Sequence, residues 1–298
     1  MAAATSTTSR KWRPFPRQAK PCTASATTAY GGKGANQAVA AAKSGAPTPF
    51  ISAFGDDSAG GELRAHLESL HIDCGGSKTV ADSTGMAMIW LNRAGENSIV
   101  VIAGANAALD AAHVEAEQAR IAAAGLLLLQ LETPLEGVIR AAAIARAHGV
   151  RTILNPAPAA ALPPELLANL DLITPNETEA ERLTGIAVQD ENSAARAAAN
   201  LHAQGVPTVL ITLGSRGVYA SADGHGTLYP AYRVQPVDTT AAGDTFNGAL
   251  AAALLRGEPL ARAIAWGQAA AALSVQTLGA QPSIPDAAAT TAFLQDHS

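Results

Sequence analysis

The chain is poor in cysteine, in aromatic rings and in charge, and each shortage excludes something. Two cysteines in 298 residues, Cys22 and Cys74, cannot build a disulfide framework or a multi-cysteine metal site, so a reducing, cytoplasmic setting is expected. Aromatic residues are 4% of the chain against 48% hydrophobic, so alanine and leucine must fill the core. No apolar run nears the ~20 residues that cross a bilayer. The run Leu126 to Leu129 stops at Gln130 and Glu132, and no membrane partner is expected. With 20 basic against 25 acidic side chains the net charge is −5, which removes the usual electrostatic reason to expect nucleic acid. The apolar content rules out disorder throughout, and the length admits one large α/β domain or two smaller ones. A small-molecule partner is what these exclusions leave.

From Gly31 onward, short β-like runs alternate with longer alanine-rich helical stretches, the pattern of an α/β protein with a mostly parallel sheet. Strands are expected at 49–54, 85–92, 125–130, 152–155, 170–174 and 207–212. Helices are expected at 36–44, 60–70, 134–148, 176–183, 192–204, 244–256 and 260–277, most of them ending at glycine. The strands finish in polar or proline corners such as Gln130-Leu131-Glu132, Asn155-Pro156-Ala157, Thr174-Pro175-Asn176 and Thr212-Leu213-Gly214. Ligands of open parallel sheets lie beyond the carboxyl ends of the strands, so these corners should line one cleft. Residues 79–102 have more β character, with turn signals at 93–97, and read as a hairpin of a small lid. No Pro- or Gly-rich linker divides residues 31–298.

The most informative segment is Asp238-Thr239-Thr240-Ala241-Ala242-Gly243-Asp244-Thr245-Phe246-Asn247-Gly248, a small-residue turn running into an apolar helix. Small residues let backbone N–H groups converge at the positive end of the helix dipole, where an anion belongs. An aspartate there suits a general base that takes a hydroxyl proton while the turn's amides stabilise a transferring phosphoryl group. The plainer alternative is an Asp cap on an ordinary helix, the commoner use by frequency. Gly31-Gly32-Lys33-Gly34-Ala35-Asn36-Gln37 is a second glycine-rich stretch; it is not a Walker A loop, and it reads either as a close-approach backbone site or as a flexible turn.

Residues 238–248 resemble the signature of the ribokinase (PfkB) family of sugar kinases. The resemblance extends to Gly31–Ala40, Ala103-Gly104-Ala105-Asn106, Thr174–Glu179, Ile211–Gly217 and Gly279-Ala280-Gln281-Pro282-Ser283, and so runs from Gly31 to about Pro285. It implies a three-layer α/β/α fold with a small β lid, and MgATP-dependent phosphorylation of D-ribose at O5. Asp244 would be the catalytic base, and Ala242 and Gly243 would provide the anion hole. Gly32, Lys33, Gly34, Ala35, Asn36 and Glu132, with Asp244, would bind the sugar. Asn176, Thr212, Leu213, Gly214, Ser215, Arg216, Gly217, Gly243 and Gln268 would bind ATP. Asn176 and Glu179 would organise Mg²⁺ through water, although an asparagine cap with first-turn acids explains the same residues. The loop 212–217 likewise reads as a nucleotide loop or as a tight turn between strands. The resemblance further implies K⁺ or another monovalent cation at Asp238, Thr240, Ser274, Thr277, Gly279 and Ser283, and a homodimer meeting through the lid.

Residues 1–30 depart from this pattern. They carry Arg10, Lys11, Arg13, Arg17 and Lys20, no acid and no strand-like run. Family members open with a hydrophobic strand and Gly-Ser-x-Asn-x-Asp, whose asparagine and aspartate grip the sugar, followed by Pro-Gly-Glu-Thr. Reading degenerate codons from the third base of each into the next, Met1 to Arg10 can encode Gly-Ser-Gly-Asn-Ile-Asp-His-Leu-Ala. In the same frame Phe15 to Ala26 can encode Pro-Ala-Ala-Gly-Glu-Thr-Leu-His-Gly-Gln-Arg. The segment reads as out of frame, by a frameshift or a sequencing error, in preference to a transit peptide or genuine divergence, with an irregular structure, a missing first strand and weak or absent activity as expected consequences.

Overall fold

The computed structural model describes residues 29–91 and 97–297. The expectation for residues 1–30 thus falls almost wholly outside the described residues, as does most of the expected lid turn at 93–97. The order of elements is α1 (Lys33–Lys43), β1 (Ala53–Gly55), α2 (Ser58–Ser69), β2 (Lys78–Val80), β3 (Met86–Leu91), β4 (Asn97–Ile102), α3 (Ala111–Ala116), α4 (Gln118–Ala122), β5 (Leu126–Leu129), α5 (Leu135–Ala147) and β6 (Arg151–Leu154). It continues with α6 (Pro164–Leu167), β7 (Leu172–Ile173), α7 (Glu177–Thr184), α8 (Glu191–Ala203), β8 (Thr208–Thr212), β9 (Val218–Ala222), β10 (His225–Tyr229), α9 (Ala242–Leu255), α10 (Leu260–Ser274) and α11 (Ala287–Asp296).

Six strands form the central sheet in the order β10-β9-β8-β7-β6-β5. Strands β5 to β8 are mutually parallel, while β9 and β10 run antiparallel at one end. Alternation sends side chains to two helical layers. Leu154, Ile173, Val209 and Ile211 pack with α5, α6, α7 and α8, while Ile153, Leu172 and Leu210 pack with Phe246 and Leu250 of α9 and Ile264 of α10. The architecture is therefore α/β/α in three layers, with alanine lining much of the helix faces.

The pair β9–β10 was not among the expected strands. Its turn, Asp223-Gly224, has φ of 52° and 77°, the left-handed conformation that two-residue hairpins require. A hairpin forms within the expected 79–102, β3 pairing with β4 from Met86↔Ile102 to Leu91↔Asn97, whereas residues 78–80 make β2 and pair with β1 instead. The expected strand at 49–54 is shorter, reduced to β1 and a bridge between Pro49 and Asp73.

Strand β5 ends the six-stranded sheet, and all four of its leucines are only half-buried. Strand β1 pairs with β2 alone, in a separate two-stranded sheet. Shared helices tie the two sheets together. Leu127, Leu129 and Ile51 pack on one cluster built from α3, α4 and α5, while α1 holds Phe50 and Phe54 and also reaches Gln130 just beyond β5. Among the described residues no strand precedes α1 and none lies between β5 and β1.

Candidate active site

Helices α1 and α9 start at the carboxyl end of the sheet and cross closely there. A Cβ on Gly248 of α9 would lie 2.3 Å from the Gln37 carbonyl oxygen and 2.6 Å from the Ala40 Cβ, so glycine is what lets the helices meet. That contact brings Asn36 and Gln37 of α1 onto Asp244 in the first turn of α9.

Asp244 is 7% exposed. Its Oδ2 accepts from Asn36 Nδ2 at 2.9 Å and its Oδ1 from Gln37 Nε2 at 2.9 Å. Burial pushes its carboxyl above the ordinary aspartate value, and the two amide donors and the nearby Lys33 charge oppose that push. The turn ahead of it is bent by Ala241, whose φ of 60° is left-handed. Among the described residues no side chain caps this helix. The Ala242 N–H donates to Thr239 O, whereas the N–H groups of Gly243 and Asp244 have no hydrogen-bond partner among the described residues. Space around Gly243 is open. Two free amides at a helix start, beside a buried carboxylate, can hold an oxyanion.

The sheet's corners converge on the same place. Glu132, beyond β5, accepts the Lys33 N–H at 2.7 Å, and burial raises its carboxyl pKa. Gly32, with φ of 90°, permits that approach. Gly34 lies against Gln130 and Phe50, and Ala35 is buried in the α1 packing. Asn36 Oδ1 accepts from Gln281 Nε2 at 3.3 Å, and Gln281 Oε1 lies 3.0 Å from His66 Nε2.

Asn176 and Glu179 form a capping box on α7. The Asn176 side chain accepts the Glu179 N–H at 2.8 Å, and Glu179 Oε2 accepts the Asn176 N–H at 2.9 Å. The cap that explained these residues without a metal is thus formed. Glu179 Oε1 has no hydrogen-bond partner among the described residues, and burial raises this carboxyl's pKa, with Lys33 and Asp244 close enough to influence it. A bare acceptor on a buried acid suits water held by Mg²⁺. Among the described residues no three His, Cys, Asp or Glu side chains converge as a direct metal cage.

Thr212 closes β8 and pairs with Asn176 across a bridge. Leu213, Gly214, Ser215, Arg216 and Gly217 make the tight turn into β9, held by Leu213 N–H to Gly217 O. Gly214 and Ser215 are exposed residues, and their N–H groups are unpartnered among the described residues. Arg216 turns away to Glu177 at 3.1 Å and to the Gln189 carbonyl. Gln268 is buried and donates to the carbonyls of Tyr229 and Pro230, so its amide is already engaged.

Asp238, Thr240 and Gly279 meet directly. Asp238 Oδ1 accepts from the Thr240 hydroxyl and N–H, Oδ2 accepts the Gly279 N–H, and these bonds hold the carboxyl below its ordinary pKa. The carbonyls of Asp238, Thr240, Thr277 and Gly279 accept no hydrogen bond among the described residues, which leaves hard oxygens for a monovalent cation. Ser274 O accepts from Thr277 N–H, and the Ser283 hydroxyl is spent on Ala280 O.

Sequence reasoning missed the roles of Gln37, Gln130, Asn155, Thr174 and Asn247, which are hydrogen-bonded into this site. The available signal was their place at strand corners and one residue from Asn36 or three from Asp244.

A parallel-sheet enzyme that aims a buried carboxylate and free helix amides at one point is built for phosphoryl transfer to a small polar acceptor. The chain belongs to the pfkB family of carbohydrate kinases, whose model matches residues 12–287, beginning ahead of Gly31. It is 52% identical to the ribokinase of Haemophilus influenzae over 268 residues, 90% of this chain and 88% of that protein. It is 46% identical to the ribokinase of Staphylococcus aureus, covering 86% and 84%. The structure of Arabidopsis thaliana ribokinase complexed with ribose and ATP superposes with a TM-score of 0.87 at 35% identity, covering 92% of this chain and 91% of that one.

Proposed function

We propose that this protein transfers the γ-phosphoryl group of ATP to the 5-hydroxyl of D-ribose. The observation that carries the reading is Asp244, buried between two amide donors one residue from an unpartnered amide. Asp244 takes the hydroxyl proton, the sugar oxygen bonds to the γ-phosphorus, and the bond to ADP breaks. The Gly243 and Asp244 amides stabilise charge on the transferring group, and the Ala242 amide joins them if it gives up Thr239. Gly32, Lys33, Asn36 and Glu132 hold the sugar hydroxyls, with Gly34 and Ala35 shaping the wall.

Thr212, Leu213, Gly214, Ser215 and Gly217 bring main-chain amides toward ATP. Arg216 and Gln268 contribute after rearranging from their present partners. Bound Mg²⁺ would neutralise phosphate charge, its water held by Asn176 and the free Glu179 Oε1. A monovalent cation would rest on the open carbonyls at 238, 240, 277 and 279, with Ser274 and Ser283 nearby, and would fix the turn that carries the amides. Among the described residues no helix is long and apolar enough to cross a membrane. The buried, free Cys74, its thiol pushed up to about 11, accords with a cytoplasmic site. Met86, Met88, Val100 and Ile102 are exposed on paired strands of the lid, which supports a homodimer through that hairpin.

The test is a coupled assay on ribose, deoxyribose, fructose and adenosine, with ribose expected to give the highest kcat/KM. Preference for another acceptor would make this a different kinase of the family. ATP and sugar binding by calorimetry without turnover would make it a silent binding protein.

A further inference from the structure

Gln37 is fully buried, and both N–H groups and the oxygen of its amide are hydrogen-bonded. One N–H donates to Asp244 Oδ1 at 2.9 Å and the other to Asn155 Oδ1 at 3.0 Å, while its Oε1 accepts from Gln130 Nε2 at 2.6 Å. The chain of bonds returns to where it began. Asn155 Nδ2 donates to Thr174 O at 3.2 Å, the Thr174 hydroxyl donates to Asn247 Oδ1 at 2.6 Å, and Asn247 Nδ2 donates to Gly243 O at 2.8 Å. Gly243 precedes Asp244, so the loop ties the carboxylate and its own helical turn to the ends of β5, β6 and β7.

An ionised carboxylate only accepts, which sets the Gln37 amide, and the accept-only backbone carbonyls of Thr174 and Gly243 set those of Asn155 and Asn247. We propose that Gln37 is a positioning residue for Asp244: it pins Oδ1 against the sheet and leaves Oδ2, on the Asn36 side, to meet the sugar hydroxyl. This rests on the phosphotransfer reading of Asp244, and it adds a residue that does not touch substrate. Asn36 can exchange its bond to Oδ2 for one to the sugar, because Gln281 already holds its other end. Gln37 has no such freedom. The charged groups that bear on Asp244 are Lys33 from α1, Glu132 after β5 and Glu179 from α7.

The experiment compares the full chain with Gln37→Met, close in volume and without donors. With ¹³C-labelled aspartate, the Asp244 carboxyl is the resonance lost in Asp244→Asn. Its titration midpoint is expected to move up in Gln37→Met, because a donor to the charged form is gone. Where turnover is measurable, kcat should fall by roughly tenfold or more with KM for ATP unchanged, the acid limb moving with the resonance. A folded Gln37→Met with an unmoved midpoint overturns the proposal. Should Gln37→Met fail to fold, Gln130→Met decides by the same readout, with a smaller upward movement expected and no movement overturning it. Failure of the phosphotransfer reading looks different, since the resonance would move while no sugar is phosphorylated by either protein.

Discussion

At the residue scale, chemistry and stability pull Asp244, Glu132 and Glu179 in opposite directions. Each is raised above its ordinary pKa by burial, so the folded state binds the proton more tightly than the unfolded chain. Stability from these groups is fully present below the unfolded value and is lost as pH rises through the folded one. Near neutral pH they are therefore a cost to stability, as expected of groups held for the proposed chemistry. Glu179→Gln keeps an acceptor for the Asn176 N–H and removes the desolvated charge. It should raise the Tm by up to about 3 °C at pH 8, with the gain shrinking toward pH 4, while slowing turnover. A lower Tm across that range in calorimetry would contradict the assignment. Asp244→Asn should reduce kcat by at least roughly a thousandfold with ATP affinity within about threefold, as read by coupled assay and calorimetry. The wild-type acid limb should lie above the ordinary aspartate range. Asp244 and Asn36 were legible in the sequence because small residues and glycines announce a turn. Gln37 was not, since its place beside Asn36 marks it as near the site but does not tell which way its amide faces.

At the element scale, the site is made by two helices meeting over strand ends, and the meeting depends on Gly248. A valine there would drive its methyls into the Gln37 and Ala40 backbone region, where even a Cβ has no room. Gly248→Val should destabilise by about 1–3 kcal/mol in urea unfolding. It should also lower kcat more than it raises KM for ATP, because α1 carries Asn36 and Gln37 away from Asp244. Normal kinetics in a destabilised variant would separate packing from catalysis. The long amphipathic helices and the apolar strands β5, β6 and β8 were legible because period and length agree in them. The β9–β10 hairpin was not, because alanine, serine and glycine dilute its alternation, although Asp223-Gly224 stood as a turn signal. The short helices α3, α4, α6 and α11 also passed unseen, the first three being too brief for a period to register.

At the scale of the whole molecule, a central sheet ends at a row of half-buried leucines while a second sheet, clamped by the same helices, ends at β1. In β5 the Leu129 carbonyl faces β6, so by alternation the Leu126 and Leu128 backbone groups face the other way. In β1 the Ser52 carbonyl and the Asp56 N–H face β2, so those of Ala53 point away from it. Among the described residues neither edge has a strand to pair with, and an unpaired edge in a protein interior is costly. One extended apolar strand would satisfy both. Residues 1–30 hold no such run; we propose that their shifted reading would add an asparagine and an aspartate to the proposed sugar site beside Lys33, Asn36 and Glu132. A chain carrying that reading behind an added apolar strand should melt several degrees higher than the chain as written. Its kcat/KM for ribose should rise by roughly a hundredfold or more, since sugar hydroxyls left without partners cost orders of magnitude. The coding DNA gives an independent check, because the shift must recover both Gly-Ser-Gly-Asn-Ile-Asp and Gly-Glu-Thr before the codon for Gly31. Equal activity and stability in the two chains would mean that the β5 edge is complete as it stands.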